Sequence, residues 1–114
     1  MAVAIAYRVA GRTYGLNVGN TSHAAVLLNT TTPDQVRYCA VVNPTTADIA
    51  VRFSEDGSPA TLPALDGTPG DFVVPGGNAG FAMVFAVPSF PCYVTAISTV
   101  AGPSALYVTP VDGS

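Results

Sequence analysis

Few side chains in this sequence can act as nucleophile, base or metal ligand. His23 is the only histidine, Cys39 and Cys92 are the only cysteines, and the carboxylates are Asp34, Asp48, Glu55, Asp56, Asp66, Asp71 and Asp112. A nucleophile needs a base within hydrogen-bond reach, usually with a third group orienting that base. His23 lies in Thr21-Ser22-His23-Ala24 at the lip of a strand-like run, and no Gly-x-Ser-x-Gly elbow occurs. We read it as a turn or surface histidine without a special role. Structural zinc takes four Cys or His ligands, more than one histidine and two distant cysteines supply.

The carboxylates stand mostly in turn contexts such as Asp-Gly and Pro-Asp, where a short acceptor side chain stabilises the turn itself. Asp66-Gly67-Thr68-Pro69-Gly70-Asp71 lacks the alternating oxygen ligands of a calcium loop. A glycosidase pair would need two carboxylates facing a cleft, and a small chain without Trp offers little to stack a sugar on. Gly76-Gly77-Asn78-Ala79-Gly80 has no following Lys or helix, so it reads as a hairpin turn and not as a phosphate loop. Asn29-Thr30-Thr31 matches a glycosylation acceptor, but the apolar N-terminus has no basic segment, so no cleaved export signal is expected. The expectation is a non-enzyme with no metal and no cofactor.

The elements that would position these residues are strands. Gly and Pro are spread along the chain as punctuation, and between them lie runs rich in Val, Ile, Thr, Tyr and Phe, which pack well on a pleated surface. Strands are predicted at 3–9, 24–29, 35–42, 47–53, 71–74, 80–87, 92–98 and 104–109. Alternation is clearest at Ile49, Val51 and Phe53, with Arg52 on the other face. The run Phe81 to Val87 is apolar on both faces, which implies a central strand or one covered by a partner. No window of helical length escapes Gly and Pro, and no apolar run is long enough for a spanning helix. The expected fold is all-β, a single jelly-roll-like β-sandwich of about eight short antiparallel strands with almost no helix. Residues 1–12 form an N-terminal arm or first strand, and 13–114 the sandwich. Residues 54–70 are expected to be an exposed contact loop with a short strand near Ala60-Thr61-Leu62. Cys39 and Cys92 sit in apolar runs and are read as buried free thiols, with a disulfide between neighbouring strands as the alternative.

Charge narrows the partners. Only 10% of residues are charged, against about a quarter in ordinary soluble domains. All four bases are Arg, and the net charge is -3, so neither nucleic acid nor an anionic membrane is an expected partner. Lys, the usual guard of exposed sheet edges, is absent. Those edges must be shielded by turns or by other subunits. The apolar first nine residues could add a strand to a neighbour's sheet or pair within their own domain. Candidate interface residues are Ile5, Tyr7, Arg8, Arg12 and Asp66.

Four stretches carry a family resemblance. Tyr38 to Phe53 reads as strand, Asn43-Pro44 turn and strand; Pro69 to Gly77 follows, then Tyr93-Val94-Thr95-Ala96-Ile97-Ser98 and Leu106-Tyr107-Val108-Thr109-Pro110. In order and texture this resembles the small all-β virion proteins of tailed bacteriophages, in particular capsid decoration or cement proteins. The resemblance spans residues 36–110 and includes no diagnostic motif. It implies a jelly-roll-like sandwich without catalysis, present in many copies on the capsid surface of an icosahedral head. Such a protein assembles in the host cytoplasm, binds the major capsid protein and self-associates as a dimer or trimer. The alternative is a phage head-fibre or tail adhesin, or a carbohydrate-binding sandwich.

Overall fold

A computed structural model describes residues 7–29, 38–76, 82–87 and 91–113. Among the described residues nine strands run in the order β1 (Tyr7–Val9), β2 (Tyr14–Val18), β3 (Val26–Leu28), β4 (Tyr38–Val42), β5 (Ile49–Ser54), β6 (Phe72–Val74), β7 (Ala82–Ala86), β8 (Cys92–Ser98) and β9 (Ser104–Gly113). The described residues contain no helix, as the density of Gly and Pro requires. All strand pairs are antiparallel, and they form two sheets. The first has the order β1-β9-β4-β7 with β2 also on β9; the second has the order β3-β8-β5-β6.

The pairing is nested. β5 pairs with β6, β4 with β7, β3 with β8 and β2 with β9, as in one long two-stranded ribbon closed at the β5–β6 connection. Two further pairings, β4 with β9 and β5 with β8, fold that ribbon into two sheets. The inner faces meet in one core that includes Leu16, Val18, Leu28, Val41, Ile49, Val94, Leu106 and Val108. Burying such side chains stabilises by roughly 1.5–3 kcal/mol each, which makes this layer the main source of stability.

Several sequence expectations need correction. β2 was not among the predicted strands, because Gly15 and Asn17 are poor strand formers; its period-two signal is carried by Leu16 and Val18 alone, which face the core. β9 continues past residue 109 through Pro110. The Ala10 N–H donates to the Pro110 carbonyl, so the side of Pro110 that lacks an N–H faces the gap between β1 and β2, where the ladder is already interrupted. β7 is an edge strand, not a central one. Gly76 to Gly80 joins β6 to β7, which lie in different sheets, so this connection is a crossing and not a hairpin; residues 77–80 themselves lie outside the described residues.

The crossing from β4 to β5 is organised by Asn43, which is 2% exposed. Its Oδ1 accepts from the Thr45 N–H (3.1 Å) and from Thr45 Oγ1 (2.7 Å). Its Nδ2 donates to the Ala47 carbonyl (2.8 Å) and reaches the carbonyls of Val74 and Pro75. One amide thus closes its own turn and ties it to the end of β6. Asn43→Ala should lower the unfolding free energy in urea by about 3 kcal/mol, since it strands buried polar groups. Asn17→Ala, at an exposed position of β2, should change it by less than about 0.5 kcal/mol.

Candidate protein-docking surface

His23, the two thiols and the carboxylates of Asp48, Asp56, Asp66 and Asp71 are engaged in structure. The His23 Nδ1–H donates to the Ala24 carbonyl (2.7 Å), and the His23 backbone N–H donates to Ala96, which fixes the residue beside β8. Cys39 on β4 and Cys92 on β8 are buried free thiols, the first of the two sequence readings. Burial, with a contribution from the neighbouring Cys92 charge, pushes Cys39 up to about 12, and burial pushes Cys92 up to about 11. Asp56 accepts from the Ser58 hydroxyl and N–H, and Asp66 accepts from the Thr68 N–H; these bonds hold both carboxyls below their usual range. Among the described residues no three His, Cys, Asp or Glu side chains gather where they could hold a metal ion.

What distinguishes the molecule is the unequal treatment of its two outer faces. The centre of the outer face of the β3-β8-β5-β6 sheet lies under the β5–β6 loop, while Leu27 on β3 stays exposed. Ala50, Ala60 and Thr95 are buried there although none belongs to the core cluster. Thr95 Oγ1 donates to the Ser58 carbonyl, and the Ala60 N–H donates to Ser22 Oγ. Residues 54–70 are therefore not a simple exposed loop. Their first half is laid across the sheet, and no separate strand forms near Ala60.

The second half of that loop turns outward as a hairpin. The Asp71 N–H donates to the Thr61 carbonyl and the Ala64 N–H to the Thr68 carbonyl, while Asp71 Oδ2 accepts from the Thr61 N–H. Arg52 anchors the stem through Asp71 Oδ1 at 3.2 Å. Gly70 lets the two arms meet, since a Cβ there would lie 2.3 Å from the Pro63 nitrogen. The tip holds Leu65 fully in solvent, with a relative exposure of 108%. Asp66 stands beside it, also exposed.

On the outer face of the other sheet no described segment lies over the β4 and β7 positions or over Ala105 to Thr109 of β9, whereas Val111, opposite Tyr38, is buried. The inward positions are Cys39 and Val41 on β4, Met83 and Phe85 on β7, and Leu106 and Val108 on β9. Alternation sends Tyr38, Ala40 and Val42, then Ala82, Val84 and Ala86, then Ala105, Tyr107 and Thr109 to the outside. In register, Ala40 lies between Val84 and Thr109, and Val42 lies between Ala82 and Tyr107. No charged side chain stands on these positions. Tyr38 and Tyr107 remain 40% and 44% exposed, and no described segment covers them.

At the β2 end this face opens into a groove of about 470 Å³, whose lining includes Gly15, Asn17, Thr45, Ser104, Ala105 and Tyr107. Gly15 is the cross-strand partner of Tyr107, and a Cβ at Gly15 would stand 3.4 Å from the Tyr107 ring. The ring therefore rests on the glycine backbone.

The candidate interface residues are scattered. Ile5 lies outside the described residues, as do the side chains of Tyr7 and Arg8. The backbone of Tyr7–Val9 pairs with β9 of the same chain, with Arg8 opposite Asp112. Arg12 is exposed in the step between β1 and β2, and Asp66 is at the hairpin tip. Sequence reasoning missed the bare face. Its available signal was the apolar character of both faces of 82–86, already noted as requiring a cover.

Fold and surface together define an all-β, two-sheet sandwich with its own loop laid across one outer face; on the other, the described positions of β4, β7 and Ala105 to Thr109 carry no charge and have no described segment over them. No protein-family model, no curated protein and no solved structure matches the chain.

The two thiols provide a check on the packing. Both should resist a thiol reagent at pH 8 in the native protein and react fully in denaturant. A thiol whose pKa is raised by folding stabilises fully below its unfolded value near 9.0, and that stability is lost as the pH rises through 11 to 12. The urea midpoint should thus hold steady from pH 7 to 8.5 and fall beyond pH 9.

Proposed function

We propose that this chain is a non-enzymatic virion structural protein, a capsid decoration or cement protein that binds the outside of an icosahedral phage head and stabilises contacts between capsomers. The uncharged outer positions of β4, β7 and Ala105 to Thr109 of β9 carry this reading. A surface kept free of charge costs little to desolvate against another protein, and an edge strand apolar on both faces is protected once a partner covers it. The nested ribbon supports a jelly-roll form of the sandwich. The engagement of His23, the thiols and the carboxylates in turns and core supports a role without catalysis.

The size of the face sets the mode of action. Four strands about 4.8 Å apart and about five residues long give a footprint of roughly 300 Å². A stable pairwise interface needs about 800 Å² per partner. A single copy therefore grips weakly, and many copies bridging neighbouring subunits, together with self-association as a dimer or trimer, supply the stability through multivalency. The major capsid protein is the partner, and the particle surface is the location.

A second reading is an adhesin or carbohydrate-binding module, favoured by the Tyr107 ring laid on Gly15 in a groove that also carries Asn17 and Ser104.

Purified protein added to expanded heads lacking it should bind at micromolar concentration and raise their rupture temperature. Val42→Arg or Val84→Arg, on the bare face, should weaken that binding at least tenfold while leaving the β-rich circular dichroism unchanged. Absence of binding to such heads overturns the cement reading, and glycan binding that Tyr107→Ala abolishes would establish the second.

A further inference from the structure

The hairpin tip and the groove lie on opposite outer faces of the sandwich. The hairpin leaves β6 at Asp71, on the Ser54 side of the β5–β6 pair, above the covered sheet. The groove is on the bare sheet, and Thr45 in its lining belongs to the connection that leads into Ile49, the other end of β5. With the two sheets about 10 Å apart and the hairpin rooted at the opposite end of β5, the tip does not reach the groove of its own chain.

The tip and the groove match in chemistry. Leu65 is the most exposed large hydrophobic side chain among the described residues, yet the hairpin beneath it is held by paired backbone bonds, the Arg52–Asp71 pair and the close approach at Gly70. Conformational entropy is spent to hold an apolar side chain in water. The groove is uncharged, and Leu16, Pro103 and Ala105 are among its lining residues. Charge complements shape: Asp66 is next to Leu65, and Arg12 is exposed three residues before the Gly15 edge of the groove. Three residues of chain span at most about 10 Å, a gap that an Arg and an Asp side chain can close together. Among the described residues Arg12 has no ion-pair partner.

We propose that the occupant of the groove is the hairpin tip of a second copy of this chain, with Leu65 seated over Tyr107 and Ala105 and with Asp66 facing Arg12. The contact joins two different patches, so it is head-to-tail, and it closes into a ring or extends according to the rotation between copies. It deepens the assembly reading above and rests on it for its biological role. It leaves the Tyr38, Val42 and Val84 part of the bare face free for the head.

Sedimentation velocity on the full chain from 5 to 500 µM tests it. The wild type should associate as concentration rises, and Leu65→Ser should stay monomeric while keeping its melting temperature, since Leu65 is fully exposed. Arg12→Asp and Asp66→Arg should each weaken association at least tenfold, and the combined exchange should restore most of it. The decisive arm mixes Leu65→Ser, which keeps its groove, with Ala105→Arg, which keeps its tip. Each alone should be monomeric, and the mixture should yield a one-to-one dimer that grows no further. A wild type that is monomeric at 500 µM, or a mixture that stays monomeric, overturns the head-to-tail contact. A monomer that still binds heads sinks this contact while the cement reading stands; a self-associating chain that binds no head does the reverse.

Discussion

A two-sheet sandwich has two outer faces to hold in water, and eleven charged side chains are too few to cover both. The molecule meets this constraint unequally. The centre of one outer face is buried under the chain's own β5–β6 loop, through Ala50, Ala60 and Thr95. Apart from Arg52 on β5, which pairs with Asp71, the described charges fall on loops and on the rim: Arg12 beside β2, Asp48 at the start of β5, Glu55 and Asp56 where the loop begins, Asp66 at its tip. The remaining face is left to Tyr, Ala, Val and Thr. Low charge is thus localised, and its localisation is what gives the surface a direction.

The covering loop depends in turn on the frame beneath it. Arg52 projects from β5 toward that loop because Ile49, Val51 and Phe53 take the core positions, and it meets Asp71 at the root of the hairpin. Thr61 closes on the same carboxylate. One ion pair, half exposed on the Arg side, would contribute little on its own. Combined with backbone bonds and the contact at Gly70, it fixes a hairpin that projects Leu65 outward.

The open sides of the sandwich are handled by aromatics. On the side of β6 and β7, Phe85 meets Phe72 edge to face at 5.1 Å and Phe53 at 5.8 Å, so rings from both sheets bridge the gap. On the side of β2 and β3, Tyr14 packs on the core and its hydroxyl accepts from the Asn29 N–H. Such rings supply large apolar area with a polar handle where water is close. They stand in for the Lys guards that the sequence lacks.

Much of the fold was legible in the chain itself. The all-β class, the positions of most strands and the burial of both thiols follow from local patterning, because strand alternation and turn chemistry act over two to six residues. β2 escaped notice since Gly15 and Asn17 earn their places by what crosses them, Tyr107 over the first and Ala105 opposite the second. The route through Pro110 was equally hidden, as it relies on a gap between β1 and β2 some hundred residues away in sequence. Asp66 and Arg12 could be singled out as exposed charges, but not as neighbours of a bare apolar tip and an uncharged groove. Which outer face a loop covers, and which it leaves open, depends on pairings between strands far apart in the chain. Local sequence carries no record of those pairings, because the free energy that selects them arises only when the two sheets close on a common core.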